Sequence, residues 1–300
     1  EIYTLESSAA SDVYKRQNYW PAFSTNLADL FQPYADYQKA YMKHAMDNAD
    51  THMNRFFPEK NEPGKNGWCI GTGGWLYTTD GVVALKDHSG PTLNALTAKL
   101  FYDWYDYTRD DTALEQAYPV LSEASRFLSK VVEENEDGEY LVKYSASPEQ
   151  NVNGANYYTT GSGFDQQLAF DNHRGTLELM ERMEAIAPEK VDSGLKATLE
   201  AQTPRMAPAL VGDSGQIKEY REETVYGSIG EKEHRHISHL MGLYPGQVIN
   251  SQTPAWLDAA KYTLSQRGSG TSGWSKAHRQ LLWARAKEGN EAYRMYQILL

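Results

Sequence analysis

The stretch LNALTAKLFYDWYDY at residues 93–107, followed by DTALEQAYPVLSEASRFLSKVVEE at 111–134, is the part of the sequence that indicates the fold. The two stretches predict a pair of helices joined by the short polar turn Arg109-Asp110. Pro119 indicates that a new helix begins within the second stretch, because proline is accepted in the first turn of a helix. The sequence therefore predicts a helical hairpin here.

The same organisation recurs along the chain. Apolar residues spaced by three and four predict a helix over 26–57, bent or restarted near Pro33. Gly-rich GKNGWCIGTGGW at 64–75 predicts a loop, a small two-stranded element is expected near 139–144, and SASPEQNVNGANYYTTGSG at 145–163 predicts another loop. Further helices are expected at 165–186, 189–202, 254–267, 273–287 and 290–300, with a long loop over 203–236. Recurring helical hairpins predict an all-α protein, such as an α/α toroid with its long loops gathered at one end, with a plain helical repeat as the alternative.

Composition and charge exclude several classes of partner. The net charge of −11 would repel nucleic acid and an anionic membrane surface, so no nucleic-acid partner is expected. No apolar run approaches the roughly 20 residues that a membrane span needs. The single Cys69 excludes an internal disulfide. The compartment stays open, with an extracytoplasmic location (periplasmic or secreted) favoured over the cytoplasm.

Three histidines, His234, His236 and His239, lie within six positions. Metal binding is one reading, but no C-x-x-C, H-E-x-x-H or clustered Asp pattern completes a ligand set, so neither a metal nor another cofactor is predicted. A second reading is structural, with the imidazoles holding neighbouring loops. The third is ligand recognition, in which neutral imidazoles and Arg235 donate to substrate hydroxyls.

Glu149, in SASPEQN, is the best candidate for a general acid. It follows Pro148 among small residues and tyrosines, where partial burial would keep it protonated. The competing reading is a solvated turn. Asp165 in GSGFDQQ is predicted to cap its helix, and Asp80, Asp87 and Glu219 are loop carboxylates that no spacing separates. The absence of a G-x-S-x-G elbow and of a phosphate-loop Lys disfavours serine hydrolases and nucleotide binding.

The aromatic composition is unusual, with 21 Tyr and 7 Trp beside 8 Phe. Such side chains suit either an amphipathic core or a cleft whose rings stack on sugars while their polar ends meet hydroxyl groups. Composition alone leaves both readings open.

Several strings, in order, resemble glycoside hydrolase family 95, the inverting α-L-fucosidases with an (α/α)6 barrel. They are NYWPAFSTNLADL at 18–30, SASPEQN at 145–151, FDQQLAFDN at 164–172, GQIKEY at 215–220, HRHISHLMGLYPG at 234–246 and GWSKAHRQLLWARAKEGNEAY at 273–293. The HRHISHL-x-GLYPG block is the most specific. The resemblance implies hydrolysis of terminal α-L-fucosyl groups from a fucosylated oligosaccharide or glycan, or of a related sugar such as L-galactose.

The resemblance also implies roles for particular residues. Glu149 would be the general acid, and the block with His234, Arg235, His236 and His239 would hold the sugar. Candidates for the walls of the cleft, by position only, are Trp20, Trp68, Trp75, Trp274, Tyr157 and Tyr158.

Two departures from the family's pattern affect the expected activity. An Asn-x-Asn pair that positions the attacking water should precede NYWP, but SSAASDVYKRQ stands there, resembling an adapter-derived string. The Asp of a D-G-N-F-G motif is also lacking. We therefore expect residues 1–17 to be a non-native leader, residues 18–300 to be part of an incomplete (α/α)6 catalytic domain with an open apolar seam, and residues 1–300 alone to be inactive. The alternative is a carbohydrate-binding or scaffold toroid that has lost catalysis.

Overall fold

The computed structural model describes residues 17–71 and 90–300, and helices make up most of this part of the chain. Residues 17–24 are helical, and the longer helices are α1 (Gln32–Phe56), α2 (Leu93–Thr108), α3 (Asp111–Val131), α4 (Gly163–Ile186), α5 (Ser193–Gln202), α6 (Pro254–Arg267), α7 (Gly273–Arg285) and α8 (Gly289–Leu299). Single 3-10 turns lie at Ala28–Phe31, Pro58–Lys60, Pro188–Lys190, Thr203–Arg205 and Ser238–Leu240. Four short strands lie between α3 and α4, namely β1 (Val132–Glu134), β2 (Tyr140–Val142), β3 (Ser145–Val152) and β4 (Ala155–Thr159).

Helices α2 and α3 form the predicted hairpin. Arg109 ends α2 in the left-handed region with φ of 55°, and the Asp110 side chain accepts a hydrogen bond from Ala113 N at the start of α3. The prediction that a helix begins near Pro119 is wrong, because Pro119 lies inside the single helix α3. Buried apolar residues continue on both sides of the proline, so packing outweighs the local cost of its missing N–H.

Helix α4 packs against both members of this hairpin. Gly175 permits the close approach, since a Cβ there would lie 3.0 Å from a ring carbon of Tyr102. Buried polar groups also join the helices: Ser125 Oγ lies 3.0 Å from His173 Nδ1 and 2.9 Å from Thr176 Oγ1. The α2–α3–α4 unit is thus a closely packed support for the loops that follow it.

The apolar core has two clusters. One is built mainly by helices α1 to α5, and the second by residues between Ala209 and Met295. Phe170 and Tyr244 pack against both clusters and join them. The predicted all-α class is confirmed, and the helices pack as expected for a fragment of a toroid. Sheets are limited to two antiparallel pairs, β1–β2 and β3–β4, in the part of the chain that the structure describes.

The long loops meet at the N-terminal end of α4. A Cβ on Gly163, the first residue of this helix, would lie 2.8 Å from the carbonyl oxygen of Lys218 and 3.1 Å from Cβ of His239. The loop over 203–253 therefore lies directly against the start of α4. This end of the helix brings the conspicuous sequence motifs together.

Apolar side chains remain exposed near both ends of the described chain. They include Leu27 and Leu30 before α1, and Tyr293, Tyr296 and Ile298 on α8. Within residues 17–71 and 90–300, no helix is long and apolar enough to cross a bilayer. Residues 1–16 of the expected leader lie outside the described residues, so its non-native origin stays a prediction.

Candidate active site

Glu149 lies on a β-hairpin, not in the loop that the sequence predicted. Strands β3 and β4 pair antiparallel around the turn Asn153-Gly154, whose two residues both have positive φ. An Asn-Gly pair is the strongest short signal for such a turn, so the sequence did contain the evidence for a hairpin. The pairing register shifts between Ala146 and Asn151, and Glu149 falls in this irregular part. Irregularities of this kind redirect side chains next to functional sites.

Asp165 anchors the first residues of this hairpin. Its carboxylate accepts hydrogen bonds from Ser145 Oγ at 2.6 Å and from Ala146 N at 3.0 Å, and Thr92 donates to it as well. The prediction that Asp165 caps α4 is wrong, because Ser162 is the cap and its Oγ accepts from Asp165 N at 3.3 Å. Burial raises the pKa of Asp165, while the Ser145 and Thr92 hydroxyls act in the opposite direction.

A second buried carboxylate, Glu219, lies beneath the middle of the hairpin. Ser147 Oγ donates to Glu219 Oε1 at 2.6 Å, and Gln150 Nε2 lies 3.2 Å from both oxygens. Arg267 donates to Oε2 at 3.0 Å, and His239 Nδ1 lies 3.4 Å from the same oxygen. Burial by itself would raise the pKa of Glu219, but His239 and Arg267 outweigh it and hold this pKa well below its usual range.

Glu149 lies between Ser147 and Gln150, the two residues bound by Glu219, and faces the segment that contains Arg235 and His236. Its side chain is 14% exposed, and its Oε2 contacts the Arg235 guanidinium and lies 3.5 Å from His236 Nε2. Ser238 Oγ donates to the carbonyl oxygen of Pro148 at 2.7 Å. The structure thus brings the predicted general acid together with Arg235 and His236, which the sequence predicted to hold the sugar.

The histidines of the cluster have different surroundings. His234 Nδ1 accepts a hydrogen bond from His236 N at 3.0 Å, whereas His239 faces Glu219 and its carbonyl accepts from Gln167. Burial, helped by the neighbouring His236, lowers the pKa of His234 to about 4. Burial and the adjacent Arg235 lower the pKa of His236 to about 3. Both imidazoles are therefore neutral near pH 7, and no group of three or more His, Cys, Asp or Glu in the described ranges could hold a metal ion.

Of the predicted aromatic residues, Trp274 contacts the histidine cluster. It is half-buried, and its ring meets the His236 ring edge-on with 4.8 Å between centroids. Tyr157 and Tyr158 lie on β4, opposite the strand that carries Glu149. The Tyr157 hydroxyl donates to Glu222 at 2.8 Å, and Tyr158 is exposed.

Two of the other predicted tryptophans, Trp68 and Trp20, pack against residues away from Glu149. Trp68 is fully buried and donates from its indole nitrogen to the carbonyl oxygen of Val120 at 2.9 Å, so it lies in the core. Trp20 is buried against Tyr244 and His278. Trp75 lies outside the described residues.

Sequence reasoning assigned no role to several residues that organise the site. Ser147 and Gln150 are visible only as the polar neighbours of Glu149, and Glu219 stands within the GQIKEY string without a spacing that links it to the hairpin. Arg267 ends a helix and carries no motif signal. Their role appears only when the chain is folded.

The described arrangement combines one half-buried acidic group with guanidinium, imidazole and indole groups, which are polar and aromatic groups suited to contact with a carbohydrate. The glycosyl hydrolase family 95 catalytic domain matches residues 6–300, and the chain belongs to this family. The resemblance noted from the motifs is therefore confirmed.

Three curated relatives show how far the similarity extends. Alpha-L-fucosidase 2 of Arabidopsis thaliana is 26% identical over 293 residues, which cover 93% of this chain and 32% of the plant protein. Probable alpha-fucosidase A of Aspergillus niger is 27% identical over 300 residues, covering 93% of this chain and 35% of the fungal protein. Probable alpha-fucosidase A of Aspergillus oryzae is 34% identical over 166 residues, covering 52% of this chain and 22% of that protein. The chain thus spans about a third of the length of the first two relatives.

Proposed function

We propose that the protein containing this chain hydrolyses terminal α-L-fucosyl groups, or the related L-galactosyl groups, with inversion at the anomeric carbon. Family membership and the fucosidase names of the relatives support the reaction class. The observation that carries the site assignment is the position of Glu149, held on a fixed hairpin against Arg235 and His236. A fucosylated oligosaccharide or glycan is the proposed substrate.

Glu149 is proposed to donate its proton to the glycosidic oxygen while the bond from that oxygen to the anomeric carbon breaks. Water attacks the opposite face of the sugar, which inverts the anomeric centre. The 300 residues contain no D-G-N-F-G motif, and no Asn-x-Asn pair precedes Asn18. The proposal therefore assigns activation of the attacking water to no residue of this chain.

The contact between Arg235 and Glu149 suits a carboxylate better than a carboxylic acid. Arg235 has to release Glu149 before the glutamate can serve as an acid. Its side chain is 42% exposed, so a bound sugar can reach the guanidinium. We propose that sugar hydroxyls take over the Arg235 donors, while the neutral imidazole of His236 forms a further hydrogen bond to the sugar.

The decisive test compares wild type with Glu149→Gln in the longest natural protein that contains residues 18–300. A fucosyl-α1,2-galactose disaccharide is the substrate, and NMR follows the anomer that is released first. We expect the β-anomer from wild type and no release from Glu149→Gln. An activated aryl fucoside should retain part of its rate in the variant, because a good leaving group needs little protonation.

Glu233→Gln is the matched control, since Glu233 is an exposed carboxylate two positions before Arg235. It should leave both rates unchanged. Equal loss on the disaccharide and the aryl fucoside in Glu149→Gln would contradict the acid assignment. Failure of folded wild type to cleave either sugar would contradict the proposed hydrolysis and favour a carbohydrate-binding role.

A further inference from the structure

The ion pair between Glu219 and Arg267 connects the two segments of the candidate active site. Arg267 Nη2 lies 3.0 Å from Glu219 Oε2, and both side chains are almost completely buried, with 1% and 5% exposure for the arginine and the glutamate. Glu219 belongs to the loop before the histidine cluster, and Arg267 is the last residue of α6. The Glu149 side chain pairs instead with Arg235 and lies near His236.

On one side, Glu219 binds the segment that carries Glu149. Its carboxylate accepts hydrogen bonds from Ser147 Oγ and Gln150 Nε2. Ser147 directly precedes Pro148, and Gln150 directly follows Glu149. The Pro148-Glu149 pair is therefore attached at both ends to one buried carboxylate. Displacement of that carboxylate would move the proposed acid with it.

On the other side, Arg267 binds the segment that carries Arg235. Its Nη1 donates to the carbonyl oxygen of His234 at 3.1 Å and to that of His236. Arg279 donates to the His234 carbonyl as well, at 3.1 Å. The guanidinium thus fixes the backbone on both sides of Arg235.

The charges of the pair are maintained by each other. Burial alone would lower the pKa of Arg267, but the neighbouring Glu219 raises this pKa above its ordinary value. Burial alone would raise the pKa of Glu219, but His239 and Arg267 lower it. The oxygens of Glu219 already receive donors from Ser147, Gln150 and Arg267 in a site with almost no solvent exposure. This carboxylate is therefore unsuited to activate water or donate a proton itself.

Resting on the proposed function, we propose that Glu219 and Arg267 are positioning residues that fix Glu149 relative to Arg235 and His236. The pair presents a carboxylate to one segment and a guanidinium to the other, so this buried contact, together with the hydrogen bond from Ser238 Oγ to the Pro148 carbonyl oxygen, sets the distance between the acid and the sugar-binding groups. Displacements of about 1 Å in a catalytic group can reduce rates by roughly 100-fold.

The test uses two variants in the same natural protein. Glu219→Gln keeps the shape of the side chain and removes its charge, and Arg267→Lys keeps the charge and removes the planar fork that reaches two carbonyls. For both variants we expect kcat on the disaccharide to fall about 100-fold, with KM changed less than about 3-fold. The value of kcat on the aryl fucoside should fall much less, because misplacement of the acid matters little for an activated leaving group.

A double-mutant cycle separates positioning from general loss of structure. If Glu219 acts through Glu149, then adding Glu219→Gln to Glu149→Gln should cause little further loss of the rate that Glu149→Gln retains on the aryl fucoside. A purely structural role would lower the rates on both substrates in proportion, and this loss would add to the loss caused by Glu149→Gln. Either of these outcomes would overturn the proposal.

Asp103→Asn is the matched control for loss of a buried ion pair. Asp103 pairs with Lys99 within α2, and their side chains are 16% and 9% exposed. This variant should lower stability without changing the ratio of the disaccharide and aryl fucoside rates. The same change of ratio in Asp103→Asn would show that any buried charge defect has this effect and would contradict a specific role for Glu219.

Hydrogen exchange supplies a readout that does not depend on activity. Glu219→Gln and Arg267→Lys should each increase amide exchange in 145–152 and in 233–239 together, whereas Asp103→Asn should affect neither segment. Unchanged exchange in either segment would overturn the proposal even if wild type cleaves no fucoside. In that case the inactive wild type would contradict the proposed function separately.

Discussion

His236 Nε2 lies 3.5 Å from Glu149 Oε2, and among the residues described this nitrogen has no hydrogen-bond partner. A buried imidazole normally satisfies both nitrogens. The open position beside the proposed acid suits a sugar hydroxyl, which would complete the hydrogen bonding of the histidine when substrate binds.

Replacement of His236 by alanine should therefore weaken sugar binding. We expect KM for the aryl fucoside, or Kd for fucose measured by calorimetry, to rise about 10-fold, which corresponds to loss of one hydrogen bond of roughly 1.4 kcal/mol. His52→Ala is the control, because His52 is buried against Phe56, Phe57 and Phe127 on and around α1. An equal change of affinity in both variants would contradict the assignment of His236.

Trp68 and Trp274 are expected to respond in opposite ways to the same change. Trp68→Leu removes a fully buried ring and its hydrogen bond to Val120, so the free energy of unfolding should fall by about 3 kcal/mol. Trp274→Leu should leave stability nearly unchanged and weaken fucose binding about 5-fold, by loss of ring contact with the sugar or with His236. Urea denaturation and calorimetry measure the two effects. Loss of fucose affinity in folded Trp68→Leu would restore Trp68 as a cleft wall.

Gly90 allows the close approach of the chain to Asp165. A Cβ at this position would lie 1.9 Å from Asp165 Oδ2, a carboxylate already fixed by Ser145 and Thr92. Gly90→Ala should therefore lower the free energy of unfolding by about 2 kcal/mol.

Gly270→Ala is the matched control for Gly90→Ala. A Cβ on Gly270 would meet nothing within 4 Å, so its effect should stay within about 0.5 kcal/mol. Equal thermal unfolding curves for the two variants would show that Asp165 can move away without cost.

The stability of the protein should decrease as the pH falls below neutrality. Burial lowers the pKa of His173 from 6.5 to about 3. Between these two pH values the imidazole is therefore protonated in the unfolded chain and neutral in the folded protein. This contribution to stability is complete above about pH 6.5 and is lost progressively as the pH falls towards 3.

His173→Asn tests this dependence through the slope of the free energy of unfolding against pH. Between pH 4.5 and 6 the wild-type slope should exceed that of the variant by about 1.4 kcal/mol per pH unit, the value for one proton. Urea denaturation at several pH values gives both slopes. Parallel curves would mean that His173 takes up its proton in the folded state.

The helices were largely predictable because each buries one face, and the spacing of its apolar residues records that burial. The hairpin of α2 and α3 follows from the residues around Arg109 and Asp110, whose local geometry ends one helix and caps the next. The prediction failed at Pro119, where a local rule for proline was outweighed by packing on both sides of it. It also failed at β3 and β4, where the Asn153-Gly154 turn signal was overlooked.

The sequence by itself determined the all-α class, the family, and the candidate acid Glu149, because periodicity and ordered motifs are properties of the chain. Only the tertiary structure decided that Asp165 and Glu219 support the hairpin, that Trp68 belongs to the core, and that Arg267 joins two distant segments. The physical reason is that the partners of a buried charge are chosen by proximity in the folded state. Glu219 and Arg267 stand 48 residues apart in the sequence, and no periodicity or spacing records a contact of that kind.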